Sequence, residues 1–184
     1  MGKDIFKKWL VNIFLFFVFS FAGYIWECSL YLVQYGELIN RGTMIGPWLP
    51  IYGCGGLLVL FLLKRFKHKP TLVFVTALLL CSTVEYFTSY YLEVTRGIRW
   101  WDYSEYFINI NGRICLEGCI IFGLAGCLAM YVIGPFMTKT FNKIPSMLQM
   151  IICLTLLSFF TIDFVYSTIN PNTGERISSV QKQV

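Results

Sequence analysis

The chain has 184 residues, 57% of them hydrophobic and only 14% charged, with a net charge of +5. Soluble domains average about 45–50% apolar and about 25% charged residues, so the composition argues against a soluble globular protein. Long apolar runs with few internal charges mark a polytopic, all-α membrane protein, and the length leaves room for a single domain.

Lys3, Lys7 and Lys8 precede an apolar run that opens at Trp9 and continues to about Val33. A secretory signal opens in the same way, and Ser20-Phe21-Ala22 is a passable cleavage site. The run is too long for a signal h-region and suits an uncleaved first span over 9–34, with Glu27 near its far end. The stretch Asn40–Gly56 follows, holding two of the six prolines, five of the fifteen glycines and Arg41. So many helix breakers in an apolar stretch predict a backbone that bends near membrane depth. Such a bend is tolerated only where protein or a water-filled cavity satisfies the freed polar groups.

A second helix is expected over 48–63, ending at Lys64-Arg65-Phe66-Lys67-His68-Lys69-Pro70. A third runs from Thr71 to about Leu92, with Glu85 inside and Glu93 at its end. Residues 94–112 mix Arg96, Arg99, Trp100, Trp101, Asp102, Tyr103 and Tyr106. That composition suits the headgroup region, where a short amphipathic helix lying in the interface is the expected form. A fourth helix is expected over 113–133, starting at Arg113 and stopped by Gly134-Pro135. A fifth covers 146–168 and contains Asp163. Residues 1–169 thus read as one transmembrane domain of about five helices, and residues 170–184 as a polar, flexible tail.

Five spans place the termini on opposite sides. With the N-terminus in the cytoplasm, nine of the fifteen basic residues lie inside and six outside, in line with the positive-inside rule. The expected location is a cell membrane, crossed several times, N-terminus cytoplasmic and C-terminus outside. On this topology Glu27, Glu85, Glu93, Glu117 and Asp163 all fall within the membrane or at its outer boundary, with Arg41 and Arg113 on the same side. A carboxylate in hydrocarbon costs about 2.5–3.5 kcal/mol even on lenient insertion scales. Such groups need partners or a cavity. Arg113 and Glu117 are four apart, which on one helix puts them within pairing reach. Ser82, Glu85, Ser89 and Glu93 recur at helical spacing as a polar stripe. Arg41 is placed to meet Glu27 if the Asn40–Gly56 stretch folds back.

The candidate binding residues are therefore Glu27, Arg41, Glu85, Arg113 and Glu117, with Asn40, Tyr52, Asp102, Asn111 and Asp163 as additional members. The bland reading of the same set is an ion-pair network that orients helices. Seven cysteines lie in apolar segments without a CxxC pair and read as small packing residues. Cys115 and Cys119 would need an activating neighbour to act as nucleophiles. His68, the single histidine, sits in a basic loop, so no zinc or haem site and no cofactor is expected. No phosphate-binding glycine loop is present, so nucleotide hydrolysis is not argued.

Two stretches also look alike. The first pairs Glu27 with Asn40-Arg41-Gly42 and Tyr52-Gly53-Cys54-Gly55-Gly56-Leu57. The second pairs Glu85 with Asn111-Gly112-Arg113 and Phe122-Gly123-Leu124-Ala125-Gly126-Cys127. A parallel internal repeat is one reading, and shared membrane-helix composition is the other.

Several motifs occur in a fixed order: Trp26-Glu27, Asn40-Arg41-Gly42, Gly46-Pro47-Trp48-Leu49-Pro50-Ile51-Tyr52-Gly53, Trp101-Asp102-Tyr103-Ser104, and Asn109-Ile110-Asn111-Gly112-Arg113-Ile114-Cys115-Leu116. Together they resemble the family labelled Putative ABC-transporter type IV, the CmpB type of ABC transporter permease, over roughly residues 20–130. The resemblance implies a small bacterial multi-pass membrane protein with a transport role.

Three functions are carried forward. The first is a permease or permease subunit whose outward-facing polar site takes a polar or zwitterionic solute, or couples to protons. The second is a membrane-embedded enzyme acting on a lipid or isoprenoid, with a carboxylate as general acid–base; an enzyme is the less favoured reading. The third is a non-catalytic membrane partner or sensor whose charges are structural. Expected partners are the lipid bilayer, a polar solute or lipid head group, and other membrane subunits; nucleic acid is not among them.

Overall fold

A computed structural model describes residues 2–97 and 99–172. Its helices are α1 (Gly2–Tyr35), α2 (Pro50–Leu62), α3 (Pro70–Arg96), α4 (Leu116–Leu128), α5 (Gly134–Phe141) and α6 (Ser146–Ile169). Two short strands, β1 (Asn109–Ile110) and β2 (Ile114–Cys115), form an antiparallel hairpin. Among the described residues, four segments are long and apolar enough to cross a membrane: Asp4–Val33, Pro70–Arg96, Leu116–Phe141 and Ser146–Ile169. The second expected helix exists, but it starts at Pro50 and its 13 residues fall short of that length. A 3₁₀ turn, Leu63–Phe66, follows it directly.

The expected stop at Gly134-Pro135 does not occur. A proline inside a helix removes one donor and crowds the carbonyl four residues back. Here a π turn, Ala129–Ile133, widens the helix just ahead of Pro135, and the helical path continues to Phe141. Bulges of this kind let membrane helices carry proline.

The chain divides into two compact units. One comprises Met1–Leu57 with Ile133–Thr173, and the other is built on Leu58–Val132. In the first, α1 meets α6 through aromatic edges. Phe160 stands edge-on to both Phe16 and Phe17, each 5.6 Å between centroids. Phe14 stacks on Phe141 of α5 at 4.2 Å. The fully buried Gln149 donates from Nε2 to the Phe141 carbonyl at 2.7 Å. The start of α2 lies against α1 because small residues permit it: a Cβ on Gly53 would overlap Phe16 and Ser20, and one on Gly56 would overlap Phe19.

Between α1 and α2 the backbone is not helical. Gly36, in the left-handed region at φ +72°, ends α1 and returns its N–H to the Leu32 carbonyl at 2.8 Å. Asn40 then ties the turn from within. Its Nδ2 donates to the carbonyls of Met44 at 3.0 Å and Ile45 at 2.9 Å, and its Oδ1 accepts from the Gly42 N–H at 2.9 Å. Asn172 fastens the chain after α6 to the same turn, donating from Nδ2 to Asn40 O at 3.1 Å and Gly42 O at 2.8 Å. The rest of the expected tail, 173–184, lies outside the described residues.

In the second unit α3 and α4 pack closely, again over glycines. A Cβ on Gly123 would overlap the Phe74 ring, and one on Gly126 would overlap Ala77. Between these helices the expected interfacial helix gives way to turns and the hairpin. Asn111 at φ +54° and Gly112 at φ +64° are consecutive positive-φ residues, with the Arg113 N–H closing on the Ile110 carbonyl at 3.0 Å. That is the mirror-image turn suited to a hairpin. It places Arg113 in the turn, ahead of α4.

Candidate functional site

A polar cluster forms where α3 ends and the hairpin returns. Ser82, Glu85 and Ser89 are all buried on one stripe of α3, as their helical spacing predicts. Arg113, only 9% exposed, reaches that stripe from the hairpin turn. One guanidinium nitrogen donates to Ser89 Oγ at 3.1 Å, and another meets Glu93 Oε2 at 2.7 Å. The faces of Tyr90 and Tyr86 lie 5.4 and 5.9 Å from its guanidinium carbon, a favourable setting for a partly desolvated cation. Trp101 Nε1 fixes the turn by donating to the Arg113 carbonyl at 3.0 Å.

Glu93 also receives Arg99 Nη2 at 3.1 Å, and Arg99 continues to Asp102 at 3.5 Å. Asp102 in turn accepts from the Ser104 backbone N–H at 2.9 Å. Asn111 donates from Nδ2 to Tyr86 Oη at 2.8 Å. One helical turn or more below Arg113, Glu85 accepts from Tyr103 Oη at 3.3 Å. Close by in sequence, Trp100 is buried and its Nε1 has no acceptor among the described residues.

The expected Arg113–Glu117 pairing is not formed. It presumed one continuous helix from 113, whereas α4 starts at Leu116 and Arg113 turns towards α3. Glu117 is exposed in the first turn of α4, where a carboxylate favours the helix dipole. Cys115 caps α4, its sulfur accepting from the Gly118 N–H at 3.4 Å. Burial pushes its thiol pKa up, with the Gly118 N–H opposing and the Glu117 and Glu85 charges adding to the rise. The chemistry is that of a packing cysteine, since the nucleophile is the thiolate.

The first unit carries its own set. Glu27 accepts from Tyr52 Oη at 2.6 Å, so its partner is this tyrosine of α2. Arg41 lies over the Tyr31 ring, 5.2 Å from its centroid. Asp163 of α6 accepts four bonds: Trp48 Nε1 at 2.6 Å, Gly46 N–H at 2.8 Å, Ser167 Oγ at 2.9 Å and Ile45 N–H at 3.2 Å. It anchors the non-helical turn, which makes it a structural acid.

The two sets share a register. On α1, Phe16 meets Gly53, Phe19 meets Gly56, Glu27 follows, and Tyr31 carries Arg41. On α3, Phe74 meets Gly123, Ala77 meets Gly126, Glu85 follows, and Ser89 carries Arg113. Phe16, Phe19, Glu27 and Tyr31 map onto Phe74, Ala77, Glu85 and Ser89 at one constant offset, and Gly53 and Gly56 map onto Gly123 and Gly126 at another. Each unit thus sets an arginine one helical turn beyond a carboxylate, above a glycine-packed helix pair.

A family model described as Putative ABC-transporter type IV matches residues 14–168. The chain belongs to this family. The ABC-transporter type IV match takes in both glycine-packed pairs, both carboxylates and both arginines, and with the apolar helices it supports a membrane-associated transporter component. No curated protein and no solved structure matches this ABC-transporter type IV chain.

Helical spacing places Glu93 on the polar stripe, whereas Arg99, Tyr86, Tyr90, Tyr103 and Trp101 carry no spacing signal as site members. The signal for several of them was the Asn111-Gly112 pair, a strong hairpin cue that returns the chain to α3.

Proposed function

We propose that the chain is a multi-pass membrane component of a transporter, with an outward-facing polar site for a polar or zwitterionic solute. The site comprises Glu85, Glu93, Arg99 and Arg113, with Glu27 and Arg41 as their counterparts in the first unit. The observation that carries this reading is Arg113, a guanidinium only 9% exposed beside a membrane-length helix. Ionisable groups at such positions mark ligand or ion paths more often than ornament. A solute carboxylate would compete with Glu93 for Arg113 and Arg99, and a solute ammonium would be drawn to Glu85 and Glu93. The unpartnered Trp100 N–H is a further donor. Other transporter subunits would supply the energy coupling.

Five crossings fit this reading. At 1.5 Å per residue α2 spans about 20 Å, and the 3₁₀ turn adds about 8 Å. Together they approach the hydrocarbon thickness of about 30 Å. The N-terminus is then cytoplasmic and the C-terminus outside, and the Asn40–Gly56 stretch bends near the outer boundary. Its freed polar groups go to Asp163, Asn40 and Asn172.

The second reading, a partner protein with structural charges, is favoured by one specific observation: Arg113, Glu93, Arg99 and Asp102 form an unbroken chain of pairs. Solute uptake separates the two. Loss of uptake in Arg113→Ala and Glu85→Gln proteins that keep their stability supports the site; loss of stability with intact uptake supports the structural role.

A further inference from the structure

We infer that the opposite end of α3 holds an anionic phospholipid, one acyl chain seated in an apolar recess and the phosphate against Arg65. A recess of about 450 Å³ opens there, lined by Phe61, Leu62, Leu63, Thr76 and Leu80, with Arg65 and Phe66 at its mouth. That size lies within the range of small-ligand pockets, about 300–1,000 Å³. The lining is hydrocarbon and aromatic, with one cation and one hydroxyl. This matches an amphiphile that buries its chain and leaves an anionic head outside.

Charge complementarity selects the lipid. Lys64, Arg65, Lys67 and Lys69 crowd the turn at the mouth, and the sequence contains no Asp or Glu between Glu37 and Glu85. All four side chains are exposed. The described residues place no carboxylate in ion-pair contact with any of them. Arg65 is held over the Phe66 ring at 4.6 Å, which leaves its guanidinium edge available to a phosphate. The turn is also shaped rather than loose: the Lys69 N–H returns to Phe66 O at 2.8 Å, and Tyr131 Oη donates to Lys67 O at 2.9 Å. A basic mouth over an apolar recess beside membrane helices is the physical pattern for anionic head groups. On α3 the recess residues Thr76 and Leu80 lie about 20–25 Å from Glu93, at 1.5 Å per residue, and the site does not depend on the solute site.

The test is native mass spectrometry of the full chain purified in detergent. It is titrated with dioleoylphosphatidylglycerol or dioleoylphosphatidylcholine, with and without excess inorganic phosphate. The expected result is one phosphatidylglycerol retained in clear preference to phosphatidylcholine and resistant to phosphate. Arg65→Gln should weaken that retention about fivefold, the worth of one basic residue at an anionic surface, and Lys8→Gln should leave it unchanged. Arg65 is exposed, so its variant does not threaten the fold. Equal retention of the two lipids, an unaffected Arg65→Gln protein, or displacement by inorganic phosphate would each overturn the inference.

Discussion

Glu27 and Glu85 occupy the same place in two helices: each follows, at identical spacing, a phenylalanine that seats a glycine of the next helix, Phe16 with Gly53 and Phe74 with Gly123. One helical turn further along each helix, at Tyr31 and Ser89, an arginine arrives from the connecting segment. Shared composition would not keep glycine seats, carboxylate and arginine contact in one register, so the geometry favours the repeat. It predicts matched sensitivity. Gly53→Ala and Gly123→Ala should each cost about 1–3 kcal/mol, the range for overpacking. Gly55→Ala, with open space around the added methyl, should be neutral or stabilising by up to about 1 kcal/mol. Thermal unfolding of the three variants in detergent checks this.

Asp163 holds the non-helical turn through Trp48 and two backbone N–H groups. Asp163→Ala should destabilise the protein by at least about 1.5–3 kcal/mol, the value of one hydrogen bond to a charged group. Trp48→Phe keeps the ring beside Phe160 and removes one of those bonds, so its unfolding temperature should fall by less.

Arg113 pairs with Glu93 and not with Glu117. In a double-mutant cycle, Arg113→Gln and Glu93→Gln should lower the unfolding temperature by amounts that do not add, since the first change already removes the contact. Arg113→Gln and Glu117→Gln should add. The reverse pattern would contradict the Arg113–Glu93 pairing.

The crossing of α2 is open to a direct reading by phosphatase fusions. With five spans and a cytoplasmic N-terminus, a fusion after His68 is inactive and one after Tyr106 is active. If α2 does not cross, the two results exchange.

What was legible in the sequence was local and periodic. The polar stripe Ser82, Glu85 and Ser89 followed from helical spacing, and α6 was found within a residue of its ends because Pro145 and Asn170 bound it. What was not legible depended on distant partners or on competing local rules. Gly134-Pro135 read as a stop, but a π turn absorbed the proline. Asn111-Gly112 precedes an expected helix, but two consecutive positive-φ residues make a hairpin there, and the turn carries Arg113 to Glu93 in place of Glu117. The four bonds to Asp163 come mostly from a turn over a hundred residues earlier in the chain, and no window of sequence contains them.

The central claim is that the carboxylate–arginine sets bind a transported solute. Its most direct test is uptake of a broad panel of radiolabelled polar and zwitterionic solutes by cells producing the chain, at matched protein levels. The account predicts at least one solute whose initial uptake rate falls about tenfold or more, about 1.4 kcal/mol, in both Glu85→Gln and Arg113→Ala, with Glu117→Gln close to the unaltered protein. Unchanged uptake across the whole panel in both variants would contradict it.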